Sequence, residues 1–302
     1  MAQSRTDERR HRFIGRNNHI IREDTEMELG VLVPLRMEIE REFEKMDALG
    51  IRTCQLCGWD KSLFTEALAL RVRSAAKEHG IRITAFWCGW DGPATWDFPS
   101  GPLTLGIVPV AYRFDRARML CLGSDFAKWL EVSDVITHIG FVPENPRDPQ
   151  YAEVLEAVRF IGRHCARNGQ HFLFETGQET PVTLRRLIED SNLDNLGINL
   201  DPANLLMYGK ANPVDAVGIF GAYIRGVHAK DGEYPVNGRE LGVEKSLGKG
   251  RVHFDQLLAA LHAAGYRGAL TIEREIEGAE QIQDIRDAKI LLEGILSTLP
   301  RD

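Results

Sequence analysis

The chain has 302 residues, of which 43% are hydrophobic and 27% charged, and its net charge is −7. This composition is that of an ordinary globular protein, and the length fits one large α/β barrel or two smaller domains. The acidic balance argues against a general nucleic-acid binder, and no apolar run reaches the roughly 18 residues that a membrane span needs.

The first 27 residues differ from the rest of the chain in being polar and arginine-rich. Six arginines stand in the first 22 residues, against only Asp7 and Glu8 as acids. No apolar segment of a secretory signal is found there. An acid-poor start can also be a transit peptide, but we favour a polar arm before the first strand. We therefore predict an arm over residues 1–27, a catalytic domain over 28–302 and a cytoplasmic location.

Five cysteines are present, an odd number that fits a reducing compartment better than a disulfide framework. Cys54 and Cys57 form a C-x-x-C, which invites a redox or zinc interpretation. They lie inside a predicted strand, where residues three apart point to opposite faces. No second pair stands at zinc-ligand spacing, so we do not expect a zinc or redox site.

Apolar periodicity then alternates between strand-like and helix-like segments along the chain. We predict eight strands, over residues 29–35, 51–59, 81–90, 135–142, 170–175, 196–201, 224–231 and 268–275. Eight helices are predicted over residues 37–50, 64–80, 124–134, 151–169, 183–192, 214–223, 254–266 and 282–299. Gly50, Gly80 and Gly169 end three of them, where glycine supplies the left-handed cap.

Eight strand–helix pairs in about 280 residues is the count and size of a (β/α)8 TIM barrel. We predict this α/β fold as a single domain, since no linker divides the chain. A doubly wound open sheet is the alternative. That fold usually carries a G-x-G-x-x-G turn after an early strand, and no such turn is found.

Four consecutive predicted strands lead into a side chain that can bind a metal ion. The segments FLFE, LGINLD, IRGVH and GALTIE end on Glu175, Asp201, His228 and Glu273. In a TIM barrel the carboxyl ends of the strands form the active-site face, and strand alternation turns these four side chains inward. A single one of them would more often be a salt-bridge partner, a cap or a core histidine. Four on neighbouring strands favour a common site.

Three carboxylates and one imidazole make an oxygen-rich donor set. Such a set suits one divalent ion with positions left open for substrate oxygens, better than a closed zinc site. We predict Mn²⁺, with Mg²⁺, Co²⁺ and Zn²⁺ as alternatives.

Further candidates for substrate contact surround this predicted site. His138 ends the fourth strand, although a core role is the alternative. Lys230 shares the inward face of His228 and either binds a substrate oxygen or pairs with Asp231. Trp90 lies in the long loop CGWDGPATWDFPSGP, whose length is typical of a lid. Tryptophan faces stack on sugar rings, but an aromatic loop can also only pack on the barrel rim.

These segments resemble the xylose isomerase-like TIM barrels, a family of sugar phosphate isomerases and epimerases. Ketose 3-epimerases and the dehydratases and isomerases of inositol catabolism belong to it. The resemblance covers about residues 28–296 and is most specific in FLFETG, NLDPANL, GVHAKDG, LGKGRVHFDQLLAAL and GYRGALTIEREI. It implies that Glu175, Asp201, His228 and Glu273 bind one divalent metal.

The chain departs from the family pattern at one position near the predicted metal site. Ketose epimerases often have histidine three residues after the metal-binding aspartate, where this chain has Asn204. Asparagine can still hydrogen-bond a sugar hydroxyl, but a second metal is then less expected. The DNA-repair endonucleases of the same superfamily bind three zinc ions and need more histidines than this chain offers.

The family's chemistry fits these residue types. An isomerase or epimerase removes a proton from a carbon beside a carbonyl, and a divalent ion stabilises the resulting enediolate. Glu175 and Glu273 are the candidate acid–base pair. We predict action on a sugar, ketose or keto-glycoside, unphosphorylated because no phosphate cradle is found.

Two other functions stay open at this point. A lyase or dehydratase would begin from the same enolate and expel a group by β-elimination, and a third option is a sugar-binding barrel without activity. The expected partner is a small-molecule carbohydrate, with no nucleic-acid or membrane partner. A homo-oligomer is compatible with the sequence.

Overall fold

Ten strands occur in residues 27–300, the part of the chain that the computed structural model describes. They are β1 Leu29–Pro34, β2 Thr53–Gly58, β3 Arg82–Cys88, β4 Asp134–Thr137, β5 His171–Glu175, β6 Leu196–Leu200, β7 Ile224–Ala229, β8 Asp231–Gly232, β9 Glu244–Lys245 and β10 Leu270–Ile272. Eight of them form a closed barrel in the order β1-β10-β7-β6-β5-β4-β3-β2. All neighbours in it are parallel, while β8 and β9 pair as a short antiparallel hairpin.

Ten α-helices accompany the strands in the described residues. They are α1 Ile39–Leu49, α2 Glu66–Glu78, α3 Gly101–Thr104, α4 Val110–Trp129, α5 Pro149–Arg167, α6 Pro181–Ser191, α7 Pro202–Met207, α8 Pro213–Phe220, α9 Phe254–Ala263 and α10 Ala279–Leu296. The predicted TIM barrel is therefore confirmed, with each of the eight predicted helices present in whole or in part. The short helices α3 and α7 and the β8–β9 hairpin were not predicted.

Strand alternation places the two phenylalanines of β5 on the face opposite to Glu175. Phe172 and Phe174 are fully buried and pack ring against ring with 5.5 Å between centroids. Glu175 points the other way, toward the barrel axis, and is aligned with Asn199 of β6. The strand thus has one face with Phe172 and Phe174 and an opposite face that Leu173 shares with Glu175.

Helix α4 starts at Val110, which is 14 residues before the predicted helix over 124–134. Its first turns invert the usual amphipathic pattern. Phe114 is 69% exposed, whereas Arg116 is 1% exposed. A sequence search for an apolar stripe facing the core therefore misses these turns.

The buried Arg116 organises the long loop between β3 and α4. Its guanidinium donates to four backbone carbonyl oxygens, those of Asp91, Pro93, Thr104 and Gly106, at 2.6 to 3.2 Å. It also lies 5.3 Å from the ring centroid of Trp90. The loop is thus tied to the helix that follows it rather than held only at its two ends.

The predicted arm over residues 1–27 lies outside the described residues except for Met27, which is buried. The domain boundary, the cytoplasmic location and the oligomeric state stay predictions. Between residues 27 and 300, no helix combines the length and the apolar character that crossing a membrane requires.

Candidate active site and metal centre

Four side chains from four consecutive barrel strands converge at the carboxyl end of the barrel. Glu175 ends β5, Asp201 and Glu273 directly follow β6 and β10, and His228 lies in β7. One ligand atom of each lies within 4.8 Å of the others. This largest separation of ligand atoms is about twice the length of a metal–oxygen bond, which is about 2.0–2.6 Å. The structure thus brings together the four residues that the sequence analysis singled out, and we call them the ligand group.

His228 is the centre of the ligand group. Its Nδ1 lies 3.1 Å from Glu175 Oε1, 2.9 Å from Glu273 Oε2 and 3.8 Å from Asp201 Oδ2. The other ring nitrogen, Nε2, lies 2.7 Å from Gln55 Oε1. Since Gln55 Nε2 donates to Asn199 Oδ1 at 3.0 Å, the oxygen of Gln55 is the atom left to accept from His228. In the neutral imidazole this arrangement puts the proton on Nε2 and the lone pair on Nδ1.

Gly226 makes room for this hydrogen-bonded chain in the barrel lumen. A Cβ atom at position 226 would lie 2.3 Å from Asn199 Oδ1 and 3.3 Å from Gln55 Nε2. Any larger residue would displace the two amides that orient His228. Sequence reasoning missed Gln55. The signal for Gln55 was a polar residue between Cys54 and Leu56, at a position whose parity turns it inward.

Opposite charges dominate the titration of the ligand group. Burial raises the pKa of Glu175, but the charges of His138 and His228 outweigh it and hold that pKa well below its usual range. Burial also raises the pKa of Glu273, but Lys230 and His228 outweigh it and lower that pKa. Both carboxylates are therefore ionised at neutral pH.

The remaining two members of the ligand group respond to the same charges. Burial raises the pKa of Asp201 to about 6. Burial lowers the pKa of His228, but the charges of Glu175 and Glu273 outweigh it and raise that pKa well above its usual value. A proton on His228 and a metal ion thus compete for the same carboxylates.

The donor set fits a divalent ion. Asp201 Oδ1 accepts from the Asn204 backbone N–H at 2.8 Å. Within residues 27–300, Asp201 Oδ2 and Glu273 Oε2 accept no hydrogen bond of normal geometry, although His228 Nδ1 lies 3.8 and 2.9 Å from them. Buried carboxylate oxygens without donors are costly. One divalent cation satisfies several of them at once, and three carboxylates with one imidazole suit Mn²⁺ or Mg²⁺.

Glu175 is held on both oxygens by neighbouring side chains. Trp87 Nε1 donates to its Oε2, and Asn204 Nδ2 donates to its Oε1 at 3.3 Å. His138 Nε2 lies 3.4 Å from the same Oε1. His138 and Asn204, both predicted as substrate contacts, therefore touch a member of the ligand group. Trp87 was not predicted as a site residue.

Lys230 lies beside the ligand group, but the predicted alternative that it pairs with Asp231 is wrong. Its Nζ lies 2.7 Å from Glu275 Oε1 and 3.7 Å from both Asp201 Oδ2 and Glu273 Oε2. Asp231 points away because its carboxylate accepts four backbone N–H groups, those of Gly232, Gly248, Gly250 and Val252. These bonds account for the motif LGKGRV, whose glycine-containing turn wraps around that carboxylate.

Four of the five tryptophans line one side of the site, and we call them the tryptophan wall: Trp59, Trp87, Trp90 and Trp96. Trp59 lies 5.2 Å from Trp90 between ring centroids. Trp96 lies 5.1 Å from the His138 ring. The predicted loop residue Trp90 is thus connected to His138 through its aromatic neighbours. It is 3% exposed, while Trp96 at the rim is 41% exposed.

A closed parallel eight-stranded barrel with this buried ligand group defines a TIM-barrel protein equipped to hold a metal ion. The comparison with known families places the chain more narrowly. It belongs to the family described as xylose isomerase-like TIM barrel, which matches residues 43–294.

Solved structures of similar proteins agree with this placement. A xylose isomerase domain protein from Planctomyces limnophilus is 36% identical, with a TM-score of 0.84 over 89% of this chain and 97% of that one. The 3-keto-D-glucoside 4-epimerase from E. coli is 18% identical, with a TM-score of 0.67 over 89% of this chain and 100% of that one.

A xylose isomerase-like TIM barrel protein from Mycobacterium smegmatis, in complex with magnesium, is 16% identical, with a TM-score of 0.67 over 93% of this chain and 100% of that one. At their low identity, this protein and the E. coli enzyme share the fold. No curated protein matches the chain.

Proposed function

We propose that this protein is a divalent-metal-dependent isomerase or epimerase that transfers a proton on a sugar, ketose or keto-glycoside. One observation carries the proposal. Glu175 and Glu273 approach the same imidazole nitrogen from two strands, at 3.1 and 2.9 Å. Two carboxylates at one point can supply the base that removes a proton and, once one of them carries a proton, the acid that returns it.

Glu175, Asp201, His228 and Glu273 would hold the ion, with Mn²⁺ preferred and Mg²⁺, Co²⁺ and Zn²⁺ as alternatives. When bound, the ion supplies positive charge for substrate oxygens that become negative after proton removal. The magnesium complex of the Mycobacterium smegmatis relative supports a divalent ion in this family.

The other side chains of the site would bind and orient the substrate. His138, Asn204 and Lys230 lie beside the ligand group and offer polar atoms to substrate oxygens. The tryptophan wall, with Trp96 exposed at the rim and Trp90 buried behind it, would offer aromatic surface to a sugar ring and exclude water from the carboxylates.

The charges around the ligand group support an unphosphorylated substrate. Lys230 already faces Glu275 at 2.7 Å. Arg274 faces Glu244 at 3.0 Å and Asp284 at 2.7 Å. A phosphate would have to compete with these carboxylates for each cation.

A lyase is the second candidate, and the position of Lys230 favours it. This buried ammonium lies 3.7 Å from Glu273 Oε2 and can donate a hydrogen bond to an oxygen that leaves from the carbon next to the one that lost its proton. Proton removal by either glutamate would then end in β-elimination instead of epimerisation.

An experiment in D₂O separates these outcomes. Manganese-loaded protein is incubated with a panel of ketoses and 3-keto-glycosides, and the products are followed by NMR against a chelator-treated sample. Inverted or isomerised sugar carrying deuterium is the expected result. Loss of water or of an aglycone would establish the lyase, and the absence of metal-dependent deuterium incorporation in every sugar would contradict both.

A further inference from the structure

A second group of polar side chains lies beyond His138, outside the ligand group. Gln178 and Glu179, in the loop between β5 and α6, are each 1% exposed, and Tyr208, which caps α7, is also buried. In the described part of the chain, no hydrogen-bond partner reaches either polar atom of Gln178, either carboxylate oxygen of Glu179 or the Tyr208 hydroxyl. The same holds for Trp90 Nε1 and His138 Nδ1.

Unpartnered buried groups of this kind are unusual in a folded protein, because each one loses its bonds to water without replacement. A buried glutamine elsewhere in the barrel shows the ordinary situation. Gln170 bonds the Ser124 hydroxyl, the Ser124 carbonyl and the Val132 carbonyl at 2.6 to 3.1 Å. The concentration of unpartnered groups beside the candidate active site therefore points to a ligand that supplies the missing bonds.

The loop geometry places these groups next to one another. Gly177 precedes Gln178, and a Cβ atom at position 177 would lie 3.3 Å from Asn204 Cβ, 3.5 Å from His138 Cε1 and 3.7 Å from Tyr208 Cδ2. The loop thus passes directly over His138 and Tyr208, and it carries Gln178 and Glu179 to that spot.

The titration behaviour agrees with this placement. Burial raises the pKa of Tyr208 to about 12; the nearby Gln178 amide, which forms no hydrogen bond of normal geometry with the hydroxyl, and the charge of Lys230 lower it, whereas the charge of Glu179 raises it. Burial raises the pKa of Glu179 to about 8, against the charge of His138. The second group therefore lies near His138 and Lys230, two side chains that flank the ligand group.

We infer that Gln178, Glu179 and Tyr208 form a subsite for sugar hydroxyl groups that lie away from the carbon undergoing proton transfer. These three side chains offer hydrogen-bond donors and acceptors but no positive charge, which suits a hydroxyl and not a phosphate. The inference rests on the proposed function and narrows it. The substrate is an uncharged polyhydroxy compound that extends from the ligand group past His138.

Two sources can supply such hydroxyls, namely the far end of a single ketose or the second ring of a keto-glycoside. The test measures both with manganese-loaded protein. Quenching of tryptophan fluorescence reports binding, since four tryptophans line the site. The probes are D-fructose, D-psicose, D-tagatose and a 3-keto-D-glucoside, and deuterium exchange at saturation reports proton transfer.

The variants are Tyr208→Phe and Glu179→Ala, with Tyr151→Phe as the matched control. Tyr151 is a buried tyrosine whose hydroxyl bonds Asp190 at 2.8 Å on the helical side of the barrel. Each site variant should raise Kd about 10-fold or more, the scale of one lost hydrogen bond, and leave the exchange rate at saturation within about 3-fold. The control should leave Kd unchanged. Weaker binding of the ketoses assigns the subsite to a single sugar, and an effect on the keto-glucoside alone assigns it to a second ring.

The outcomes separate this inference from the proposed function. If both variants bind every sugar as tightly as the parent protein does, the subsite is disproved while the proposed reaction stands. If binding weakens in the variants but no sugar exchanges deuterium, the subsite holds and the proposed reaction does not. If the parent protein binds no sugar at all, both fail. Tyr208→Phe removes one oxygen only, so it keeps the test valid if Glu179→Ala does not fold.

Discussion

His228 and Gln55 lie on strands three places apart around the barrel and meet in its lumen, with 2.7 Å between Nε2 and Oε1. This contact turns Nδ1, which carries the lone pair in the neutral imidazole, toward the three carboxylates. Loss of the group that orients a metal-binding histidine typically lowers metal affinity about 10- to 100-fold.

Replacing Gln55 with methionine should therefore weaken metal binding. Methionine has a similar shape but cannot accept the hydrogen bond of His228 in the same way, so we expect Mn²⁺ affinity to fall about 10- to 100-fold. Calorimetric titration measures it. Gln170→Met is the control, because it removes a buried glutamine far from the ligand group and should cost stability without changing affinity. Equal affinity in the Gln55 variant and the parent would show that Gln55 does not orient His228.

Glutamine at position 175 or 273 should abolish most of the turnover without abolishing metal binding. The change keeps the shape and one coordinating oxygen but removes the group that exchanges a proton. We expect a loss of about 10²–10⁴-fold in kcat under saturating Mn²⁺. Exchange of the substrate hydrogen in only one of the two variants would identify the carboxylate that acts first.

The control for this pair is Glu153→Gln, an exposed partner of Arg113, which should turn over normally. If both site variants turn over at parent-like rates with metal bound, Glu175 and Glu273 are metal ligands only. Proton transfer would then have to be assigned to His138 or Lys230.

The stability of the protein should depend on pH through Glu179. Burial raises the pKa of this carboxyl from 4.5 to about 8, so its proton stabilises the folded state. That contribution is complete below about pH 4.5 and is lost as the pH rises through about 8. In Glu179→Gln the side chain is neutral throughout.

Urea unfolding of the metal-free proteins at pH 5 and pH 8 checks this sign. The free energy of unfolding of Glu179→Gln minus that of the parent should be larger at pH 8 than at pH 5 by a few kcal/mol. Linkage with a pKa shift of this size implies that magnitude. The same difference between the two proteins at both pH values would mean that Glu179 titrates normally.

Metal-induced stabilisation should shrink as the pH falls. An ion at about 100 times its Kd adds about 2.7 kcal/mol to the free energy of unfolding. Burial raises the pKa of Asp201 to about 6, and the ion needs this carboxylate ionised. Unfolding curves with Mn²⁺ and with chelator should therefore differ clearly at pH 8 and little at pH 5. In Asp201→Asn, Mn²⁺ should stabilise the protein only weakly at both pH values. A manganese effect independent of pH would place the ion elsewhere.

Arg116→Met should loosen the loop that carries Trp90. The substitution leaves four backbone carbonyls without their donor, and we expect the free energy of unfolding to drop by about 3 kcal/mol. Tryptophan emission should also shift to the red because Trp90 gains access to water. Arg71→Met, which breaks an exposed ion pair with Glu40, should cost less than about 1 kcal/mol. If the free energy of unfolding falls equally in the two variants, Arg116 stabilises the protein no more than an exposed ion pair does.

Local sequence patterns determined the barrel and the ligand group. Alternation within FLFE and LGINLD shows which side chains face inward, and the strand–helix repeat predicts a closed parallel barrel. Together they bring Glu175, Asp201, His228 and Glu273 to one end, because each is set by the parity and the end of its own strand. The same reasoning failed at Val110, since the exposed Phe114 and the buried Arg116 contradict the pattern on which it relies.

Contacts across the barrel were decided only by the tertiary structure. Gln55 is 144 residues from Asn199 and 173 from His228, and no local pattern joins them. Lys230 lies next to Asp231 in sequence, yet it faces Glu275 while Asp231 binds the backbone of a distant turn. The lack of partners at Gln178, Glu179 and Tyr208 is likewise invisible in a sequence. A hydrogen bond requires two groups within about 3 Å in a particular orientation, and for residues on different strands that separation is fixed only when the barrel closes.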